Sequence, residues 1–403
     1  MRICYVAYPN SLRLRSANAV QTHATLRALK TLAPDTLAIV PRVEAGPGAF
    51  DGLALHLPRI GIGRLSRVYR STLWYYAERS VYAWMVLALL TWLRLAYRRR
   101  FDVIYVREVI CALWLALLAP RLTGARVVYE VHDLESRNPS RAKEGWAQPL
   151  LHLIDRLTLT RPAALTSLTA TFRDMLASTG LRDPCEVAVL PDAYDETRYA
   201  PQDRDAARRA LGLSDEPTIV YAGLTFAYRG VDLLLNALVD TPGARLILVG
   251  GRDAERTALA AQAQRLGIGE RVTFIGTQPQ ERVPLYLAAA DVLVIPDTVT
   301  DVTASPLKLF EYMAMERAVV CPDLPALREI TGGDGALHVP RGDVAALAAA
   351  LRTLLDDSAL RQALAQRGRE RVAPYTYTWR ATRLIAVCER VAQARDRVCI
   401  NEV

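Results

Sequence analysis

An α/β protein of two doubly wound, parallel-sheet, Rossmann-like domains is the fold class this sequence predicts, on three observations. Short apolar runs alternate with helix-length segments, which implies crossovers and a parallel sheet. The alternation stops at the Pro- and charge-rich stretch PDAYDETRYAPQDRD and then restarts. The 403 residues exceed what one core usually supports, while a hydrophobic fraction of 51% leaves enough apolar side chains for two.

In the first half, RICYVAY, LAIVP, DVIYVR, RVVYEVH, ALTSLT and VAVLP are the strand candidates. In the second half they are TIVYAG, RLILVGG, VTFIG, VLVIP and AVVCP. The restart sets a boundary near Arg198, giving a first domain over residues 1–197 and a second over 198–378. In open parallel sheets ligands bind beyond the carboxyl ends of the strands, so both domains are expected to turn their loops toward a shared cleft. No repeat of 20 to 50 residues is visible, and the Ala-rich segment 344–355 reads as a helix.

The densest chemistry lies in TASPLKLFEYMAMERAVVCPD, residues 303–323. The preceding run VLVIPD reads as a buried strand, and Ser305-Pro306 supplies an N-cap followed by Pro at the first helical position. Lys308 then falls in the first turn, where the helix dipole makes a cation unfavourable by a few tenths of a kcal/mol. A misplaced cation suggests an anion nearby. A diphosphate would answer both Lys308 and the free backbone N–H groups of that turn, including that of Leu307. Glu311, one turn on, is placed to accept from two ribose hydroxyls. An ordinary surface ion pair between Lys308 and Glu311 explains the same spacing equally well.

A second loop bears on that choice. In YAGLTFAYRGVDLLLNAL, residues 221–238, a strand ends at Gly223 and Gly230 opens an apolar helix, with Arg229 just before it. The two glycines permit close backbone approach and unusual dihedrals. Neither G-x-G-x-x-G nor the P-loop pattern is matched, so neither a nicotinamide nor an ATP site is indicated.

Together these loops, with LILVGG, FIGTQPQERVPLYLAAADVLVIPD, SPLKLFEYMAMERAVVCPDLPALREI and, in the first half, YEVHD and VLPDAYD, resemble the retaining glycosyltransferases of family 4, which have the GT-B fold. The resemblance covers most of the chain and is more specific in the second half. It implies a first, acceptor-side domain, completed by a closing segment over residues 379–403 that crosses back to it, and a second domain that binds a nucleotide sugar. By that resemblance Arg229, Lys308 and His132 are the catalytic candidates. Gly223, Thr277, Gln278, Ser305, Leu307, Glu311 and Asn18 are the donor-binding candidates, with Thr277 and Gln278 near the base. Two departures stand out. The family's first Glu of an acidic pair is Thr303 here, and its Arg after the loop glycine is Leu224, while its Lys six after that glycine is Arg229. SPLKLFEYMA resembles a branch in which a Ser-Pro-x-Lys start replaces that Glu, so Lys308 is read as compensation.

The resemblance implies transfer of a glycosyl group from a nucleotide diphosphate sugar to an acceptor hydroxyl with retained configuration, in surface polysaccharide or glycolipid synthesis. No dedicated protein nucleophile is required, and the donor is substrate, so no cofactor is expected. Two alternatives stay open: a catalytically silent sugar-nucleotide-binding subunit, and a sugar-nucleotide epimerase. The epimerase would need acid and base carboxylates near the sugar, and no convincing pair is visible.

Several features of the first domain enter through the same resemblance. His132 closes the strand VVYEVH, where it is placed to donate to the donor's phosphate or sugar, although a lone His equally serves packing. In the loop PNSLRLRSANAVQTH, residues 9–23, Ser16, Asn18 and Ala19 stand where the family often has a glycine pair, and Asn18 also reads as a simple helix cap. Arg107 is read either as a contact for an anionic acceptor or as a partner of Glu108 or Glu135. Glu130 is the remaining alternative for a carboxylate in the cleft, although strand alternation is expected to point it away from the face His132 uses.

Six scattered cysteines and five histidines show neither C-x-x-C nor ligand spacing, so reduced thiols and no metal site are expected. MRICYVAYP opens directly on a strand pattern, which sets the expectation of a cytoplasmic protein. The net charge of +8 is concentrated: residues 59–100 hold nine Arg, no Lys and one acidic residue, Glu78, along with three Trp and five Tyr. The longest uncharged run there, residues 80–93, is too short to span a bilayer. A basic, aromatic surface suits the headgroups of an anionic membrane, to which the protein would bind peripherally. A buried core helix over 81–93 with a solvated basic collar fits the same residues. Nucleic acid is not expected as a partner, because the charge is local and no recognised motif accompanies it.

Overall fold

A computed structural model describes residues 1–59, 72–137, 147–297, 305–394 and 398–400. Thr303 and three of the arginines noted above, Arg64, Arg67 and Arg70, lie outside the described residues. The chain divides into two compact units, Met1–Pro191 with Tyr377–Val403, and Asp192–Thr376.

The first unit alternates β1 (Ile3–Val6), α1 (Ala17–Leu32), β2 (Leu37–Pro41), β3 (Leu55–Leu57), α2 (Thr72–Tyr97), β4 (Val103–Val106), α3 (Val109–Leu122), β5 (Arg126–Val131), α4 (Gln148–Thr160), β6 (Ala164–Ser167), α5 (Ala170–Ser178) and β7 (Val187–Val189). The sheet order is β3-β2-β1-β4-β5-β6-β7, with every pairing parallel. Helices cover both faces, which is why β1, β4 and β6 are buried along their whole length and β1 and β4 read as continuous apolar runs. The edge strand β3, sequence LHL, escaped the sequence pattern because its central histidine breaks the apolar run.

The second unit runs α6 (Arg204–Leu211), β8 (Thr218–Ala222), α7 (Val231–Val239), β9 (Arg245–Val249), α8 (Asp253–Arg265), β10 (Val272–Gly276), α9 (Val283–Ala288), β11 (Val292–Val294), α10 (Leu307–Ala314), β12 (Ala318–Pro322), α11 (Pro325–Thr331), β13 (Leu337–Val339), α12 (Val344–Asp356) and α13 (Ser358–Val372). Its parallel sheet has the order β10-β9-β8-β11-β12-β13. Strand order reverses between β8 and β11, which is where such sheets bind ligands. β13, another three-residue edge strand, was also invisible in the sequence.

The last helix, α14 (Tyr377–Gln393), packs on α1. Its fully buried Arg380 donates to the carbonyls of Leu190 and Pro191 and to Glu130 Oε2 at 2.8 Å. That ties the chain's return to the carboxyl-end loop of β7.

From Thr72 the basic aromatic segment forms a 26-residue helix, α2. It is longer than its uncharged run because Glu78, Arg79 and Arg94 lie within it, and its Trp74–Tyr97 stretch is long and apolar enough to cross a membrane by length and composition. One face is core: Tyr82, Ala83, Val86, Leu87 and Leu90 are buried, and the Tyr82 hydroxyl donates to the carbonyls of Ala7 and Ile39. The opposite face is exposed.

Candidate active site

At the switch point of the second unit, β8 delivers Gly223 and the loop from β11 leads into α10. Tyr312 of α10 fixes the two together. Its buried hydroxyl accepts from the Ala222 N–H at 2.7 Å and lies 3.2 Å from the Ala222 carbonyl. Leu309, Phe310 and Met313, fully buried, hold the helix against the sheet. Lys308, on the second residue of that helix, is thereby carried over β8. Its Nζ stands 4.0 Å from the centre of the Tyr221 ring, a cation–π contact. A Cβ on Gly223, at φ +140°, would lie 2.8 Å from that Nζ, so any larger residue would strain the backbone and displace the ammonium group.

Arg229 ends a short 3-10 turn, Ala227–Arg229, and Gly230 at φ +66° turns the chain into α7. The charge of Arg229 reaches Lys308. Burial first, and that neighbouring guanidinium second, push the lysine pKa down to about 7 despite the opposing pull of Glu311. Neither cation has a carboxylate within ion-pair distance among the described residues. Two neighbouring cations make this end of the sheet suited to an anion by elementary electrostatics. The expectation of a Lys308–Glu311 surface ion pair gives way to this arrangement. Glu311 takes a hydrogen bond from Tyr199, and burial raises its pKa against the lowering effects of Tyr199, Lys308 and Arg198.

The loop backbones are packed closely enough to fix this geometry. Gly223 N–H donates to the Val249 carbonyl at 2.8 Å, and Gly250 N–H to that of Gly276 at 2.7 Å. A Cβ on Gly250 would lie 2.4 Å from the Gly223 carbonyl oxygen. Thr277, exposed, and Gln278, half-buried, follow β10; Gln278 Nε2 reaches the Ile275 carbonyl at 3.4 Å, and Thr277 Oγ1 the Gly251 carbonyl at 3.5 Å, at the outer limit for a hydrogen bond.

Ser305 does not cap α10. Pro306, at φ −73° and ψ 120°, occupies the cap position, the helix starts at Leu307, and Ser305 Oγ is buried with no partner among the described residues. The first N–H groups of the helix, at Leu307 and Lys308, have no intrahelical acceptor by construction. A serine hydroxyl, two N–H groups and two cations are a donor set suited to phosphate oxygens. Leu224, where the resemblance places an Arg, is exposed and adds no charge.

In the first unit, β5 ends in a buried ionic cluster. Glu130 and His132, two residues apart, share a face of the strand, contrary to the expectation that Glu130 would point away. His132 Nε2 lies 2.9 Å from Glu130 Oε1, so it donates to the carboxylate. Arg107 joins the same cluster. It is buried, donates to Glu130 at 3.0 Å and reaches Gln21 and Thr22 of α1. Glu130 is wholly buried, which alone would raise its pKa, but Arg107 and Arg380 outweigh burial and hold it well below the usual carboxylate range. Asn18 is no cap either: Ser16 accepts from the Ala19 N–H at 3.2 Å, and Asn18 Oδ1 is buried without a partner among the described residues. In the same loop Leu14 adopts φ +56°, the left-handed region that a glycine would occupy without strain.

Tyr221, Tyr312 and Tyr199 were not singled out in the sequence. For Tyr221 and Tyr312 the only signal was a tyrosine inside an apolar run, where a buried hydroxyl must find a partner, and Tyr199, in the polar stretch DETRYAPQD, carried none.

Comparison with known proteins places this geometry. Residues 19–193 match the model of the glycosyl transferase 4-like domain, and residues 216–357 that of the glycosyl transferases group 1. A 2-deoxystreptamine glucosyltransferase of Streptomyces kanamyceticus is 28% identical over 304 residues, 72% of this chain and 78% of its own length. A D-inositol 3-phosphate glycosyltransferase of Mycobacteroides abscessus is 31% identical over 180 residues, 43% of this chain; that match spans about two-fifths (41%) of the relative. Among solved structures, Anabaena HepE in complex with UDP aligns with a TM-score of 0.74 and 17% identity, over 96% of this chain and 100% of that one. Sucrose-phosphate synthase from Thermosynechococcus elongatus aligns at 0.73 and 18%, over 97% and 98%. The two parallel-sheet units thus define a protein of the GT-B fold. With both family models matched, the chain belongs to the group 1 glycosyltransferases of the family 4 type.

Proposed function

We propose that this glycosyltransferase moves a sugar from a nucleoside diphosphate donor to an acceptor hydroxyl with retention of configuration, in the synthesis of a surface polysaccharide or glycolipid. The juxtaposition of Arg229 and Lys308 at the β8/β11 switch point, with no carboxylate within ion-pair distance of either among the described residues, carries the reading. The UDP and UDP-glucose bound to the Anabaena neighbour make uridine diphosphate sugars the first donors to test.

In the reaction the bond from the anomeric carbon to the diphosphate oxygen breaks and a bond to the acceptor oxygen forms. The acceptor proton passes to the departing phosphate oxygen. Negative charge grows on the diphosphate as the sugar becomes oxocarbenium-like, and Arg229, Lys308, Ser305 Oγ and the N–H groups at Leu307 and Lys308 stabilise it in place. Gly223 keeps side-chain bulk out of the phosphates' path. Glu311 accepts from the ribose hydroxyls, and Thr277 and Gln278 flank the base. His132, oriented by Glu130, and Asn18 with its unpaired Oδ1 are assigned donor contacts from the first unit by the family resemblance. No metal is assigned.

The test is a donor panel of UDP, GDP, ADP and dTDP sugars with sugar and lipid-linked acceptors, comparing the natural chain with Glu311→Ala. Transfer with a retained anomeric configuration, and a loss in the variant of about 1.5 to 3 kcal/mol in donor binding, are expected. An inverted product refutes the retaining assignment. Tight nucleotide binding without hydrolysis or transfer would favour the silent subunit, a reading that the uncharged Leu224 supports. Isomerisation of donor without acceptor would favour the epimerase.

A further inference from the structure

The exposed face of α2 is apolar along its length. Ala77, Trp84, Ala88, Trp92 and Leu95 recur at helical spacing and are all exposed, with Trp84 and Trp92 at 52% and Leu95 at 75%. Large apolar side chains also stand exposed on α3, which packs on α2, and on α4, which packs on α3: Leu122 on the first, Leu150 and Leu153 on the second. Charge on these three helices is sorted by sign. Glu78, Asp155 and the α3 cap Glu108 are buried. The exposed charges on the helices and immediately after their ends are arginines: Arg98, Arg99, Arg100, Arg121, Arg156 and Arg161. Asp102, beyond the arginine triplet, accepts from Arg2 N.

We infer that this face is a docking surface for an anionic lipid bilayer, with α2 lying along the headgroups. Tryptophan and leucine enter the interfacial layer, and the arginines meet the lipid charge. A second copy of the chain fits the same face poorly, because a two-fold contact would set arginine against arginine. Crossing the bilayer would tear Tyr82, Val86 and Leu90 from the core and expose Glu78 to hydrocarbon. The inference is independent of the reaction, since it is measured with no donor or acceptor present.

The experiment is co-sedimentation of the full chain with vesicles of phosphatidylcholine alone, or of two parts phosphatidylcholine to one part phosphatidylglycerol. Binding is expected to the anionic vesicles only, with release in about 1 M salt, where the screening length falls to about 3 Å. Each arginine near such a surface strengthens binding roughly five-fold, so Arg98→Gln with Arg99→Gln and Arg100→Gln should weaken it about 100-fold. Trp92→Ser with Leu95→Ser should weaken it roughly tenfold or more. Unchanged circular dichroism and unfolding midpoint establish that each variant is folded; should the second unfold, the arginine variant, altered only at exposed positions, decides alone. No binding, equal binding to neutral vesicles, or retention in 1 M salt each overturns the inference. So does a concentration-dependent dimer that Trp92→Ser with Leu95→Ser abolishes, which would assign the face to a second copy.

Discussion

Lys308 ties nucleotide affinity to pH. Its pKa of about 7 in the unliganded protein means that about half the molecules carry the charge at pH 7 and about one in a hundred at pH 9. A diphosphate beside Nζ favours the charged form, so binding draws a proton from solution wherever the lysine was neutral. Affinity should therefore fall as pH rises. From pH 7 to pH 9 the charged fraction drops about 50-fold, and the dissociation constant of UDP should rise by about the same factor if the bound lysine stays charged throughout. Lys308→Met removes the titrating group and should bind weakly but with a flat profile. The assay is calorimetric titration of UDP at several pH values in buffers of different ionisation enthalpy, which counts the proton directly. Wild-type affinity that is flat from pH 7 to 9, with no proton uptake, would refute the placement of a diphosphate at Lys308. Folding carries the opposite sign. A depressed lysine pKa means the unfolded chain binds more protons between about pH 7 and 10.5, so the unliganded protein gains stability as pH rises through that window. Lys308→Met should raise its unfolding midpoint.

Three further predictions follow from the packing. Glu130→Gln strands the charges of Arg107 and Arg380 in a dry interior and should cost about 3 to 5 kcal/mol in urea unfolding; in the natural protein the stability tied to Glu130 is complete above pH 4.5 and lost as pH falls toward its depressed native value. Tyr312→Phe leaves the Ala222 N–H without its acceptor, for about 1 to 3 kcal/mol of stability, and loosens the end of β8, so UDP affinity should fall with it; unaltered affinity would show that Tyr312 does not position the site. Gly250→Ala places a Cβ 2.4 Å from the Gly223 carbonyl at a backbone φ of +110°, and should abolish UDP binding even where circular dichroism shows the fold retained.

What the sequence displayed depended on chemistry. Uninterrupted apolar strands, from ICYV down to the three-residue VAV and VLV, announced themselves, whereas a central histidine, His56 or His338, breaks the run in β3 and β13. Lys308 stood out because a cation at a helix start is locally unfavourable and demands a reason, whereas Arg229 entered through the family resemblance. Tyr221 and Tyr312 did not stand out, since a tyrosine inside TIVYAG or FEYMA looks like any core aromatic until its hydroxyl's partner is seen. Glu130 was a failure of reasoning: the two-residue period of a strand puts it beside His132. The Ser305 cap misled for a different reason. Proline tolerates both the cap and the first-turn position, and the structure uses the former.

The central claim is that Arg229 and Lys308 form the seat of a nucleotide's diphosphate. Titrating uridine and UDP into the natural chain and into Arg229→Gln measures it most directly. The arrangement predicts that UDP binds the natural chain at least about 100-fold more tightly than uridine, since two charge-assisted contacts of about 1.5 to 3 kcal/mol each are at stake, and that the ratio shrinks by at least about tenfold in the variant. Equal affinity for uridine and UDP, or a ratio untouched by the loss of Arg229, would contradict it.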